Sequence, residues 1–250
     1  MNNLIFEKKY RIHTYEADAS GKLSIPGLFN YLQDAAARHA SILNLGKEHM
    51  EKENRFWALA RILVKIEHSP DWEEEITVRT WPRGREGLFA IRDFELIGNN
   101  GRIYGGASSS WLIVNRDNRR PVRPEIILKE LNILDGVKAS LDRNPEKLDA
   151  IVEASYSSRI FPVRYSDLDI NMHVNNVNYI KWVMDTYPLD YILGHRIIFA
   201  ELNYLHESLP GDEISVMVSE SGPDSFNHSI IRKNDDRELC RLKIKWDRIK

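Results

Sequence analysis

The chain has 250 residues, 42% of them hydrophobic, and a formal net charge of −2 at pH 7. This length fits one large domain or two ordinary domains, and the charge provides no bulk attraction to nucleic acid or to an anionic membrane. Cys240 is the single cysteine, which excludes an internal disulfide and any multi-cysteine metal site.

The N-terminal residues contain no apolar run of signal-peptide length and no Arg/Ser-rich leader. No stretch of the chain approaches the ~20 apolar residues of a membrane span. Phosphate-binding glycine loops, nucleophile elbows and zinc motifs are also absent from the sequence. We therefore expect a cytoplasmic protein with no membrane span, no nucleic-acid partner, no cofactor and no metal.

The first half of the chain predicts a strand, a turn, a long helix and then four strands. The first strand covers residues 4–15, and a turn at 19–22 follows it. Ser24 is a suitable N-cap for the helix, with Pro26 in its first turn. The turn signal GNNG at 98–101 joins the last two strands. The four strands are predicted over 57–68, 75–81, 88–97 and 102–115.

Residues 116–153 have a different character. A polar, proline-bearing loop is followed by short helical patterns that Gly136 and Pro145 interrupt. We therefore predict a first half over 1–135, a connector over 136–153 and a second half over 154–250.

The second half opens with FPVRYSDLDINMHVNNVNYIKWVMDTY at 161–187, where an alternating run passes into an amphipathic helix. Asp169, Asn171 and His173 occupy every second position. An extended backbone would point all three side chains the same way. Helix capping and turn formation are the alternative explanation of Asp169 and Asn171.

A helix N-terminus directly follows these polar residues. The backbone N–H groups of Val174, Asn175 and Asn176 would lack intrahelical partners there and carry partial positive charge. Such groups suit a carbonyl oxygen that becomes an oxyanion. The region therefore predicts a site for chemistry at a carbonyl group.

Four further strands complete the second half, so the order of elements repeats. With an offset of 150 residues, Asp169, Asn171 and His173 correspond to Ala19, Gly21 and Leu23. Those residues cannot act as acid, base or polar anchor, and we expect one active site, in the second half. The strands are predicted over 196–205, 213–219, 226–232 and 238–246.

The pattern D-x-N-x-H-V-N-N-V-x-Y at 169–179, followed by a Trp-containing helix, resembles the C-terminal half of the acyl-acyl carrier protein (acyl-ACP) thioesterases. The resemblance extends more weakly over nearly the whole chain. It implies an α+β tandem (double) hotdog, in which each half wraps an antiparallel sheet around a long helix. It also implies that the first half holds the acyl chain and the second half carries the catalytic residues.

The resemblance adds two residues to the candidate site. Glu207 falls on the catalytic glutamate of the family, and Ser208 falls where plant members carry a cysteine. A Cys–His covalent route is therefore not available at this position. Ser208 is a candidate accessory group, and as a nucleophile it would need an activation of its own. Cys240 lies in a predicted strand and is expected in the core.

Two mechanisms remain open at this stage. In one, Glu207 takes the proton of an attacking water, Asn171 and His173 hold that water, and Asp169 orients them. In the other, His173 is the base and Asp169 orients its ring. The N–H groups of the following helix would polarise the thioester carbonyl in both mechanisms.

The resemblance implies hydrolysis of fatty acyl-ACP to free fatty acid, with acyl carrier protein as the partner. An acyl-CoA thioesterase and a non-catalytic acyl-binding regulatory module are the alternatives, and a homodimer is left open. Two arginine clusters could receive an acidic carrier, although solvated loops are the commoner explanation of such clusters. The clusters are Arg79, Arg83 and Arg85, and Arg116, Arg119, Arg120 and Arg123.

Overall fold

The computed structural model describes residues 4–128, 141, 143–158 and 160–249. The chain divides into two compact units, Met1–Pro145 and Glu146–Lys250. Residues 136–140 and 142 of the predicted connector lie outside the described residues. The predicted boundaries at 135 and 154 stay a prediction.

The first unit contains an antiparallel sheet with the strand order β1-β3-β4-β5-β2, and a short strand, β6, pairs with the end of β5. The predicted turn at 98–101 is confirmed, because the Gly98 N–H donates to the Arg102 carbonyl at 2.9 Å. The strands are β1 (Phe6–Arg11), β2 (Arg55–Ile66), β3 (Glu75–Glu86), β4 (Phe89–Gly98), β5 (Ile103–Asn115) and β6 (Pro121–Val122).

The long helix of this unit is α1 (Ile25–Ile42), followed by the short helices α2 (Lys47–Lys52) and α3 (Glu125–Leu128). Its predicted start is confirmed, because the Ser24 hydroxyl accepts the Gly27 N–H at 3.1 Å. One face of the helix is buried, which removes apolar side chains from water at about 25 cal/mol per Å². That face includes Leu28, Phe29, Leu32, Ala35, Ala36 and His39.

The second unit repeats this plan with the strand order β9-β12-β11-β10-β7, and β8 also pairs with β10. Cys240 is fully buried on β12, as expected. The strands are β7 (Tyr156–Ser157), β8 (Phe161–Pro162), β9 (His195–Tyr204), β10 (Glu213–Gly222), β11 (Ser225–Arg232) and β12 (Arg237–Arg248), and the helices are α4 (Asn176–Met184) and α5 (Leu189–Gly194).

Helix α4 carries the second half of the sequence motif. It is shorter than the amphipathic helix predicted up to Tyr187, because the chain turns after Met184 and Pro188 becomes the N-cap of α5. The helix buries Val177, Tyr179, Ile180, Trp182 and Val183. This packing fixes the axis of α4, and with it the position of the turn that precedes the helix.

An aspartate turn precedes the main helix of each unit. In the first unit the Asp18 N–H donates to the Lys22 carbonyl at 2.8 Å, and the Asp18 carboxylate accepts the N–H of Ser20 and of Lys22. The second unit has the same bonds in the same order, beginning with the Asp169 N–H, which donates to the His173 carbonyl at 2.8 Å.

These bonds place the repeat at an offset of 151 residues, so the offset of 150 is wrong by one. The partners of Asn171 and His173 are Ser20 and Lys22, and Asp169 corresponds to Asp18. Ala19, Gly21 and Leu23 are therefore not the equivalent positions. The match is hard to see in the sequence because the left-handed residue of the turn is Gly21 (φ 76°) in one unit and Met172 (φ 62°) in the other.

Two observations concern the described residues as a whole. None of the helices among them is both long enough and apolar enough to cross a lipid bilayer. Within the same residues, no three His, Cys, Asp or Glu side chains are grouped so that they could hold a metal ion.

Candidate active site

Residues 169–173 form a tight turn, so the prediction of an extended segment is wrong. Met172 is left-handed, and the turn closes with Leu168 and Val174 bridged as antiparallel neighbours. In a turn, alternate side chains do not share one face. The predicted reason for convergence of the polar residues therefore fails, and their positions depend on hydrogen bonds instead.

The Asp169 carboxylate organises this turn. It accepts the Asn171 N–H at 2.7 Å and the His173 N–H at 3.3 Å, and it also accepts the Asn171 side-chain amide at 3.3 Å. Its contacts to His173 are therefore with the backbone rather than with the ring. Asp18 makes the matching backbone bonds in a unit whose turn contains no histidine. The capping and turn explanation of Asp169 accounts for these contacts.

The N-terminus of α4 follows at once. The Asn175 side chain caps the helix by accepting the Val177 N–H at 3.1 Å. The Asn175 N–H donates to the Asp167 carbonyl at 2.9 Å, so this N–H is occupied and the prediction that it faces an oxyanion is wrong. Within the part of the chain that the structure describes, the N–H groups of Val174 and Asn176 have no hydrogen-bond partner. These two remain the backbone candidates.

The structure brings His173 and Glu207 together. The His173 Nδ1 atom lies 3.8 Å from a Glu207 carboxylate oxygen, and the two side chains are 38% and 52% exposed. That distance is longer than a hydrogen bond and within ion-pair range. Catalytic hydrogen bonds are often this long before substrate binds. An imidazole and a carboxylate therefore lie next to each other, both accessible to solvent, and His173 lies three residues before the start of α4.

Ser208 has a different environment, although it is the next residue. It is only 1% exposed, and its hydroxyl donates to the Asp212 carboxylate at 3.1 Å. The Ser208 N–H donates to the Tyr179 hydroxyl at 3.1 Å. The Ser208 hydroxyl is therefore buried and engaged with Asp212, whereas the His173 and Glu207 side chains are exposed. The contacts thus assign Ser208 to the turn rather than to nucleophilic attack.

The sequence patterns indicate no role in the site for two of these contact residues. Tyr179 is the last residue of the family motif at 169–179, and Asp212 belongs to the turn signal Leu-Pro-Gly-Asp at 209–212. Each of these patterns accounts for its residue without a hydrogen bond to Ser208. The tyrosine hydroxyl at a helical position facing the core was the one available signal, since a buried hydroxyl usually has a hydrogen-bond partner.

The first arginine cluster is engaged within its own unit. Arg79 pairs with Glu7 and Glu95. Arg83 pairs with Asp93, and Arg85 pairs with Glu125 at 2.9 Å. These contacts neutralise the cluster, so it offers little net charge to a partner protein.

The second arginine cluster lies around the turn between β5 and β6. Arg116 pairs with Glu51 at 3.1 Å, and the Arg119 guanidinium stacks over the Phe56 ring. Arg120 and Arg123 are exposed and form no ion pair among the described residues. This cluster therefore retains positive charge that an acidic surface could meet.

The first unit also contains a narrow apolar cleft between α1 and its sheet. The volume of about 10 Å³ leaves room for about one water molecule. An acyl chain would therefore require the cleft to widen. Residues lining the cleft include Leu28, Leu32, Val64, Ile66, Phe94 and Leu96.

Comparison with known proteins agrees with this architecture. A crystal structure of an acyl-ACP thioesterase from Bacteroides thetaiotaomicron is 26% identical, with a TM-score of 0.88 over 98% of each chain. The 12:0-ACP thioesterase from Umbellularia californica is 26% identical, with a TM-score of 0.87 over 98% of each chain. The fold is thus the double hotdog of thioesterases.

Family assignment follows from the sequence itself. Residues 3–131 match the acyl-ACP thioesterase N-terminal domain, and residues 152–248 match the acyl-ACP thioesterase C-terminal domain. The chain belongs to the acyl-ACP thioesterase family. The chloroplastic palmitoyl-acyl carrier protein thioesterase of Gossypium hirsutum is 30% identical over 98% of this chain. This chain spans about 64% of the length of that relative.

Proposed function

We propose that this protein hydrolyses fatty acyl-ACP thioesters to free fatty acid and carrier protein. The observation that carries the proposal is the His173–Glu207 pair, whose side chains lie 3.8 Å apart. His173 is followed by the N–H groups of Val174 and Asn176, which have no hydrogen-bond partner among the described residues. Family membership and the names of the relatives support the substrate class.

The reaction needs an oriented water, a base and a place for the oxyanion. Glu207 takes the proton as the water oxygen attacks the thioester carbon, and the carbonyl oxygen becomes negative. The N–H groups of Val174 and Asn176 stabilise that oxygen, each on the order of 10²-fold in rate. The C–S bond then breaks, and the thiolate leaves readily because a thiol pKa is near ~8.5.

Asn171 and His173 would hold the attacking water in this mechanism. His173 faces Glu207 directly, so an imidazole N–H could donate to a water or to the carboxylate. Asp169 acts one step further away, by keeping the turn closed through the backbone N–H groups of both residues. These contacts support Glu207 as the base rather than His173 oriented by Asp169, because Asp169 bonds the backbone N–H of His173 and not its ring.

The acyl chain would enter the first unit between α1 and its sheet, where the narrow cleft is lined by apolar side chains. A carrier-borne acyl chain would be delivered by an acidic protein. Arg120 and Arg123, which form no ion pair among the described residues, give that protein a favourable surface. Coenzyme A could present the same acyl chain without a protein surface.

Steady-state hydrolysis of one acyl chain on both carriers tests the proposal. We expect kcat/KM on the carrier protein thioester to exceed that on the CoA thioester. His173→Ala should remove most turnover on both substrates. Turnover with His173→Ala close to the parent would refute the assignment of the site. A higher kcat/KM on the CoA thioester would instead indicate that the substrate is an acyl-CoA.

A further inference from the structure

The turn that carries Glu207 is held from two sides. On one side, the Asp212 carboxylate accepts the Ser208 hydroxyl at 3.1 Å and the Leu209 N–H at 2.9 Å. Arg232 reinforces this side, because its guanidinium contacts both Asp212 and the Glu207 carbonyl at 3.4 Å. These bonds all lie within the loop and the strand next to it.

The other side of the turn is held by the helix. Tyr179 lies on α4, and its hydroxyl accepts the Ser208 N–H at 3.1 Å. The Tyr179 ring is 3% exposed and packs against Trp182 and Tyr204, with ring centroids 5.2 and 5.5 Å away. Burial raises the pKa of this hydroxyl, so it stays neutral and keeps its place as an acceptor at physiological pH.

The same helix begins directly after the turn that carries His173. Its start is fixed by the Asn178 side chain, which donates to the Asp167 carbonyl at 2.7 Å, and by the Tyr204 hydroxyl, which donates to the Asn176 carbonyl at 3.1 Å. Helix α4 thus fixes the end of the turn that carries His173, and its Tyr179 hydroxyl contacts the turn that carries Glu207.

We propose that Tyr179 is a positioning residue, whose hydroxyl fixes the separation between His173 and Glu207 by holding the Ser208 backbone against α4. This role rests on the proposed function of Glu207. Tyr179 touches neither the acyl group nor the attacking water, so it acts only through the carboxylate that it places.

Tyr179→Phe tests the role, because it removes one oxygen atom and keeps the packed ring. A catalytic group displaced by about 1 Å can cost on the order of 10²-fold in rate, so we expect kcat to fall roughly 10- to 100-fold with little change in KM. The matched control is Tyr187→Phe. Its hydroxyl bonds the buried His228 at 2.9 Å, and its loss should leave kcat within about 2-fold of the parent.

A double-mutant cycle separates positioning from a general loss of structure. In a Glu207→Gln protein, Tyr179→Phe should lower kcat by less than about 2-fold further, since the group that it positions no longer acts as a base. An equal fold-loss in both backgrounds would overturn the proposal. So would an unchanged kcat for Tyr179→Phe alone.

Amide hydrogen exchange gives a readout that does not depend on turnover. Tyr179→Phe should speed exchange across residues 205–212, whereas Tyr187→Phe should not. Unchanged protection of this loop would overturn the proposal even in a protein with no thioesterase activity. Failure of the parent to hydrolyse any thioester, with the loop deprotected as expected, would instead refute the proposed function and leave the structural link supported.

Discussion

Replacing Glu207 by glutamine should separate chemistry from folding, because the two effects have different sizes. At 3.8 Å, a unit charge pair is worth about 1 kcal/mol in water and about 4 kcal/mol at an effective dielectric constant of about 20. His173 and Glu207 are both more than one-third exposed, so the lower figure applies, and only when the imidazole is charged. The free energy of unfolding should therefore change by no more than roughly 1 kcal/mol in Glu207→Gln.

The effect on turnover should be much larger. A positioned general base contributes ~10²–10⁴-fold, which corresponds to about 3–5 kcal/mol of transition-state stabilisation. Since the amide is close to isosteric with the carboxylate, KM should change little and kcat should carry the loss.

Three measurements decide the outcome. Chemical denaturation gives the stability, steady-state kinetics with an acyl-ACP substrate gives kcat and KM, and rapid-quench mass spectrometry looks for an acyl-enzyme. Glu220→Gln on β10 is a control for loss of an exposed carboxylate. Retention of more than about one-third of kcat by Glu207→Gln would refute the base assignment. An acyl adduct that forms and decays at the turnover rate would refute direct attack by water.

Four other results are expected. Ser208→Ala should lower kcat far less than Glu207→Gln does, because the Ser208 hydroxyl is bonded to Asp212. Thiol alkylation should leave turnover intact because Cys240 is fully buried. Inactivation that tracks Cys240 modification would contradict this. Arg120→Glu combined with Arg123→Glu should raise KM for acyl-ACP at low salt and leave a neutral N-acetylcysteamine thioester unaffected; equal effects on both substrates would exclude carrier docking there. Burial lowers the pKa of His228 from 6.5 to about 3, so stability present above pH 6.5 should be lost progressively as the pH falls toward 3, because the unfolded chain binds the proton first. Thermal unfolding from pH 7.5 to 4 should therefore show a smaller acid loss of Tm in His228→Gln, and parallel curves would contradict this.

The sequence predicts the fold well because its signals are periodic and local. The strand alternation, the Ser24 cap and the turn at 98–101 each state a local preference that the structure satisfies. The boundaries of α4 are less well predicted, because helical spacing of apolar residues continues to Tyr187 although the helix ends at Met184. Apolar spacing shows which side of the chain is buried, but it does not show where the hydrogen-bonded helix stops.

The candidate site is harder to predict, for a physical reason. Alternating polar residues at 169, 171 and 173 fit either an extended strand or an aspartate turn, and only the backbone conformation of Met172 separates the two. The pair of His173 and Glu207 spans 34 residues, and the Tyr179 contact to Ser208 spans 29. No local pattern encodes such distances. Only the family resemblance indicates a role for Glu207, and the motif that ends at Tyr179 gives no reason to expect a contact with Ser208.

The aspartate turns at Asp18 and Asp169 have the same backbone hydrogen bonds, so one turn can serve as the control for the other. Asp18→Ala measures what the turn contributes to folding in the unit to which we assign no catalytic residue, because the Asp18 carboxylate bonds the N–H groups of Ser20 and Lys22. Asp169→Ala measures the same contribution together with any effect on His173. If Asp169→Ala lowers turnover and Asp18→Ala does not, at a similar loss of stability, the second turn serves the candidate site in addition to folding.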